Sequence, residues 1–359
     1  MGLFDRIRGD EGPRVAFFGI DGVPYSLISE HFDEFENLAA IAEEGSSGPI
    51  DSIVPPESSA CWPALTTGVN PGETGVYGFQ DREVGSYDTY VPMGRDVQAT
   101  RLWDRVADDG RDATVLNVPV TFPPQRNVQR MVSGFLSPGV DDAAYPDELG
   151  DYLEDNDYRI DVNAKLGHSE DKEEFIEDAH RTLDKRFEAF KHYIEEDDWD
   201  LFFGVFMTTD RVNHFLFKHY EEDGEYKEEF IDFYRKVDDY LGQLRDLLAD
   251  NVTTVIASDH ARREASSSRA PAARSAGTSD DSDSDARLFL ERVMSGRRPR
   301  PSVRRRLSAA KPCPTDHRAG REKRPSSGDI VSHRTVATRL NPSGVSSPYR
   351  PIRPSSGRL

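Results

Sequence analysis

Five side chains in this sequence could hold divalent cations, and each follows an apolar run. Asp21 follows Arg14–Ile20, Asp210 and His214 follow Leu201–Met207, and Asp259 and His260 follow Thr253–Ala257. Carboxylate oxygens and imidazole nitrogens are donors that zinc and similar ions accept at about 2.0–2.2 Å. Asp210 and His214 are four residues apart, so on a helix they share one face and reach one ion. Any one of these pairs is common turn vocabulary, and the chemistry depends on all of them meeting. If they meet, three carboxylates and two imidazoles supply most of a two-metal site. Such a site stabilises both the attacking and the leaving oxygen of an in-line displacement at phosphorus.

The elements that must bring them together are parallel strands. Arg14-Val-Ala-Phe-Phe-Gly-Ile20 is a continuous apolar run closed by Asp21-Gly22, the pattern of a strand buried on both faces. Further strands are expected at Ile50–Val54, Ala113–Val118, Leu201–Met207 and Thr253–Ala257, with helices near 33–44, 100–109 and 226–249. In the last helix Phe230, Tyr234, Val237, Leu241, Leu244 and Leu248 step by four and three along one face. Alternating strands and helices predict a doubly wound, mostly parallel α/β sheet, whose strands direct their carboxyl ends into one crevice. Residues 140–198 are strongly acidic and carry a long helix with Phe175, Ala179, Leu183, Phe187, Phe190 and Ile194 on its apolar side. They are expected to form an insertion or cap over the sheet.

Charge divides the chain at His260. Residues 1–260 hold 23 Lys and Arg against 56 Asp and Glu, a net of −33; residues 261–359 hold 22 against 9, a net of +13. An acidic, Lys-poor surface with ample Val, Ile, Leu and Phe beneath it points to a folded protein adapted to molar salt, where the Debye length falls to about 3 Å. Such a surface repels polyanions, so specific nucleic-acid binding and membrane association are not expected, and any phosphate needs a local cation. The first twelve residues are too polar for a secretory signal, which leaves a cytoplasmic location as the default. Cys61 and Cys313 fall on opposite sides of the boundary and make no zinc or disulfide pattern.

The segment Ile53-Val-Pro-Pro-Glu-Ser-Ser-Ala-Cys-Trp-Pro-Ala-Leu-Thr-Thr-Gly-Val-Asn-Pro-Gly-Glu-Thr-Gly75 resembles the nucleophile region of the alkaline phosphatase superfamily. The resemblance is to its type I phosphodiesterase and nucleotide pyrophosphatase branch, over about residues 14–260. There the nucleophile stands ten residues before the Gly of a Thr-Gly pair, which selects Ser58 from Gly68, with Ser59 the near competitor. By this resemblance Asp21, Ser58, Asp259 and His260 surround one ion and Asp210 with His214 hold the other. The ions would be zinc, or alternatively manganese or magnesium. The resemblance also implies an alkaline-phosphatase-like fold, a small phosphorylated substrate and a phospho-Ser58 intermediate. A cation and a helix N-terminus beside the hydroxyl suit that role, because both favour the ionised nucleophile. Departures occur at Ala60, Thr74 and Phe79, where the family has Pro, His and a phosphate-contacting Asn. A sulfatase pattern around Cys61 fails at Leu65, where an Arg is required, which leaves Cys61 as a packed thiol. Trp62, Trp103, Phe122 and Phe135 are read as core residues rather than pocket walls. His168, His180 and His192 are read as surface residues, and His219 is out of phase with His214.

After His260 the resemblance stops. Arg, Ser and Pro number 20, 18 and 10 among residues 261–359, a composition that cannot bury enough apolar surface to offset chain entropy. This tail is expected to be disordered and to arise from a shifted reading frame. The fold would then be incomplete, and the second metal would lack a third ligand; neither His317 nor His333 is assigned to it. Two alternatives to a phosphohydrolase follow, namely a truncated, inactive relic, or a phosphomutase or phosphotransferase of the same superfamily.

Overall fold

A computed structural model of the chain describes residues 13–261 and 334–339. Its strands, in chain order, are β1 (Arg14–Ile20), β2 (Ser46–Asp51), β3 (Asp81–Arg82), β4 (Thr89–Tyr90), β5 (Ala113–Val118), β6 (Arg130–Ser133), β7 (Ala144–Tyr145), β8 (Leu201–Phe206), β9 (Val252–Ala257) and β10 (Arg334–Arg339). Eight of them form one sheet in the order β2-β10-β9-β1-β8-β5-β6-β7, and β3 pairs with β4 in a separate hairpin. The five central strands, β9 to β6, are mutually parallel, while β10 and β7 run antiparallel to their neighbours. This is the doubly wound, mostly parallel sheet that the alternating pattern implies.

Side chains of the central strands alternate between two cores. Ala16, Phe18 and Ile20 of β1 and Phe202 and Phe206 of β8 enter one core; Phe17, Phe203 and Val205 enter the other, where Trp62 and Trp103 also lie. The first core is closed by the helices Glu36–Glu44, Glu173–Glu196, Thr208–Glu221 and Lys227–Asp246. The long helix of the segment expected to cap the sheet packs directly onto β8. The Phe190 ring lies 5.6 Å from that of Phe202 and 4.9 Å from that of Phe206. Its Arg186, fully buried, donates to the carbonyl oxygens of Val205, Arg159 and Ile160 and so ties the 158–161 loop to the end of β8. Among the described residues no helix is long and apolar enough to cross a membrane.

One expectation is corrected. The strand foreseen at Ile50–Val54 lies earlier, at Ser46–Asp51, because the following Pro55 and Pro56 lack the N–H groups a ladder needs. Within the tail, foreseen as largely disordered, residues 334–339 form β10, an antiparallel strand between β2 and β9. Its Arg-Thr-Val-Ala-Thr-Arg sequence is rich in β-branched residues, and both neighbours offer open backbone groups to it. The remainder of the tail, with His317, His333 and Cys313, lies outside the described residues.

Candidate active site

Strand register builds the site. Ile20 of β1 lies opposite Phe206 of β8, and Gly19 lies opposite Ala257 of β9, so the residues after all three strands emerge together. Asp21 follows β1, the helix Thr208–Glu221 carries Asp210 in its first turn after β8, and Ser258-Asp259-His260 follow β9. Ligand atoms of Asp21, Asp210 and His260 lie within 4.8 Å of one another. His260 Nδ1 is 3.6 Å from Asp21 Oδ1 and 3.0 Å from Asp259 Oδ1, and its Nε2 is 3.6 Å from Asp210 Oδ1. His214 Nε2 approaches the same Asp210 oxygen at 3.4 Å, one helical turn along, and its side chain is 43% exposed. Ser58 opens the helix Ser58–Thr67, and its Oγ donates to Asp21 Oδ1 at 3.1 Å. All six residues singled out in the sequence therefore meet at one place.

The turn that carries Asp21 is pinned on every side. Thr209 Oγ1 donates to the Asp21 carbonyl at 2.7 Å, and Asn213, whose Oδ1 accepts from the Tyr234 hydroxyl, donates through Nδ2 to the Gly22 carbonyl at 2.8 Å. From the other flank Asp259 Oδ1 accepts from Gly22 N–H at 3.3 Å and Ser258 Oγ accepts from Val23 N–H at 2.9 Å. Gly22 has φ +70, and a Cβ there would lie 2.6 Å from Asp210 Oδ1, so glycine is what lets the two carboxylates approach.

Burial and like charge both act on this cluster. Burial first, and then the Asp259 and Asp210 charges, push the Asp21 carboxyl well above the usual carboxylate range. Burial alone would lower His260, but Asp259, Asp21 and Asp210 around it outweigh burial and push it up to about 10. Asp259 Oδ2 is buried and has no hydrogen-bond partner among the described residues. A divalent cation among these donors would supply the missing positive charge and engage that oxygen, so the donor set fits a metal.

Several contributors were not legible beforehand. The buried Arg211 guanidinium donates to Asp161 Oδ2 through Nε at 3.2 Å and Nη2 at 3.1 Å. It also stacks 4.4 Å from the Phe135 ring centre and brings Nη1 to 3.8 Å from Asp210 Oδ2. An Arg beside an Asp on an amphipathic helix reads as a solvated face, and its partner lies 50 residues away. Phe79 packs edge-on against Phe135 and donates its backbone N–H to Glu57 Oε2 at 3.3 Å, immediately before Ser58. Ser59 Oγ is buried without a partner among the described residues. Cys61 Sγ sits 3.4 Å from Ser52 Oγ, and burial raises its thiol far above the usual range, which keeps it protonated. Trp62, Trp103 and Phe135 are core residues, His168, His180 and His192 pack against Phe215, Phe233 and Tyr152, and none of these histidines joins the cluster.

A mostly parallel α/β sheet with Ser, Asp and His groups gathered at its strand ends places the chain in the alkaline phosphatase superfamily. Residues 15–281 match the family model for type I phosphodiesterase / nucleotide pyrophosphatase, and the chain belongs to that family. The match begins within β1 and continues to residue 281, beyond the boundary at His260 where the resemblance in the sequence ends. No curated protein matches the chain. Among solved structures it is similar to phosphonoacetate hydrolase from Sinorhizobium meliloti 1021 in complex with phosphonoformate. There the identity is 18% and the TM-score 0.49, with 69% of this chain and 57% of that one covered. It is also similar to an inactive variant of murine ectonucleotide pyrophosphatase / phosphodiesterase 5 in complex with AMP, at 14% identity and TM-score 0.46, covering 72% and 59%. The chain thus spans less than two thirds of the length of either.

Proposed function

We propose that this chain hydrolyses a small phosphorylated substrate, a phosphodiester, pyrophosphate or phosphomonoester, with Ser58 as nucleophile and two divalent ions. The observation that carries the reading is the convergence of Ser58 Oγ on Asp21 Oδ1, at 3.1 Å, beside Asp210 and His260. Asp21, Asp259 and His260 are the ligands assigned to one ion, Asp210 and His214 those assigned to the other, with zinc preferred and manganese or magnesium as alternatives. When bound, the ions neutralise the phosphoryl oxygens and favour the ionised hydroxyl. Ser58 Oγ then bonds to phosphorus as the opposite P–O bond breaks and the leaving group departs with a proton from solvent. Water next cleaves the Oγ–P bond, which releases phosphate or its monoester and returns the proton to Ser58. The position of Ser58 at a helix N-terminus favours the anion at that stage. Arg211, fixed by Asp161 and Phe135, offsets carboxylate charge around Asp210. The acidic, Lys-poor composition of residues 1–260 supports a protein of a high-salt organism. Hydrolysis of a nitrophenyl phosphodiester in molar salt with added zinc or manganese tests the reading, with Ser58→Ala as comparison. Equal rates for wild type and variant would end it.

A further inference from the structure

The Asp21 carboxylate is gripped at both oxygens by one helix. Ser58 and Trp62 are four residues apart on the helix Ser58–Thr67 and so share a face. Ser58 Oγ donates to Oδ1, and Trp62 Nε1 donates to Oδ2 at 2.6 Å. Both Trp62 and Asp21 are fully buried, so this hydrogen bond has no competition from water. The indole is also fixed against movement. It lies over β1 at Gly19, where an added Cβ would come within 2.4 Å of Trp62 Cη2, and its edge meets the Phe203 ring at 6.3 Å. Gly19 is thus the space into which the ring fits, and this places the N–H under the carboxylate.

We propose that Trp62 is a positioning residue for Asp21: its indole N–H occupies Oδ2, stops the carboxylate from rotating, and leaves Oδ1 alone to face the cation and Ser58. This rests on the metal reading of the site and assigns a role to a residue that otherwise reads as core. A carboxylate with one oxygen engaged binds a cation through the other, in a single orientation, whereas an unheld one samples several. Its ordering is then paid on every binding event.

The test is calorimetric titration of zinc and of manganese into metal-free protein in molar salt, for wild type, Trp62→Phe and Trp103→Phe. Trp103 is an equally buried indole that donates to Gln125, away from the ligands. Trp62→Phe is expected to bind metal about ten- to hundred-fold more weakly, the range for losing a hydrogen bond to an ionised acceptor. Trp103→Phe is expected to match wild type, although both variants open a cavity in the same core. Trp62→Phe binding as tightly as wild type would overturn the proposal alone. Failure of wild type to take up either metal would overturn the reading of the site and this proposal with it. A second measurement does not need a Trp62 variant to fold. The Trp62 indole N–H signal of 15N-labelled protein is expected to move on metal binding and, without metal, in Asp21→Asn. A signal unmoved by Asp21→Asn would overturn the proposal.

Discussion

Gly22→Ala separates backbone strain from crowding at the site. Gly22 has φ +70, a conformation that costs an L-residue about 1–2 kcal/mol. The added methyl would also lie 2.6 Å from Asp210 Oδ1 and 3.1 Å from both Cα and Cβ of Asp210. Two of those three atoms are anchored to a helix, so a swing of the carboxylate alone does not relieve the overlap. Overpacking of that kind costs about 1–3 kcal/mol. Gly68→Ala supplies the comparison, because Gly68 has φ +75 with nothing within 4 Å of its Cβ position. Gly68→Ala is therefore expected to cost about 1–2 kcal/mol from strain, and Gly22→Ala about 2–5 kcal/mol in total. For a domain of this size that total lowers Tm by about 4–20 °C. Thermal and urea unfolding of both variants in molar salt, with metal titrations of the folded proteins, measures the two terms. Gly22→Ala should also lose metal affinity, because Asp210 must retreat, whereas Gly68→Ala should not. A Gly22→Ala variant that loses no more stability than Gly68→Ala, and binds metal like wild type, would refute the close approach of the two carboxylates.

Asp238→Ala should cost about 2–4 kcal/mol in urea unfolding, because Asp238 accepts from Asn37 N–H, Asn37 Nδ2 and Leu38 N–H and caps the Glu36–Glu44 helix from another helix. Arg211→Met removes the guanidinium from a buried ion pair with Asp161 and should cost about 3–5 kcal/mol. Arg211→Lys should not restore that loss, since a point ammonium reproduces neither the paired donors nor the stacking on Phe135. Raising KCl from 0.2 to 2 M should raise Tm, because screening relieves repulsion among the surface carboxylates. A flat or falling Tm would contradict adaptation to salt.

Much of this architecture was legible because its signals are local. A buried parallel strand reads as an unbroken apolar run, as β1 and β8 do, and a helix of the flanking layer reads as a period of 3.6, as in Phe230–Leu244. Asp21, Asp210 and Asp259-His260 were found because each stands just past such a run, where a sheet delivers side chains to a common edge. What escaped depends on contacts distant in sequence. Arg211 gains its meaning from Asp161 and Phe135, and Trp62 from a hydrogen bond to a residue 41 positions earlier. β10 escaped because six residues within an Arg, Ser and Pro background carry no pattern until open strand edges select them.

The register that joins β9, β1 and β8 also has a consequence in time. Gly22 and Asp259, hydrogen-bonded in the folded protein, are separated by 237 residues. During synthesis β1 emerges early and must wait for β8 and then β9 before either of its edges is covered. At about 5–20 residues per second that interval is on the order of 10–50 s. Until β9 docks, Asp21 has no Asp259 or His260 beside it, so on the proposed metal reading high-affinity uptake would have to wait for β9, while β10 joins the other edge of β9 from still later in the chain. A nascent chain stalled before residue 252 would hold most of its helices yet lack that affinity, which would make the cation a reporter of the docking of β9.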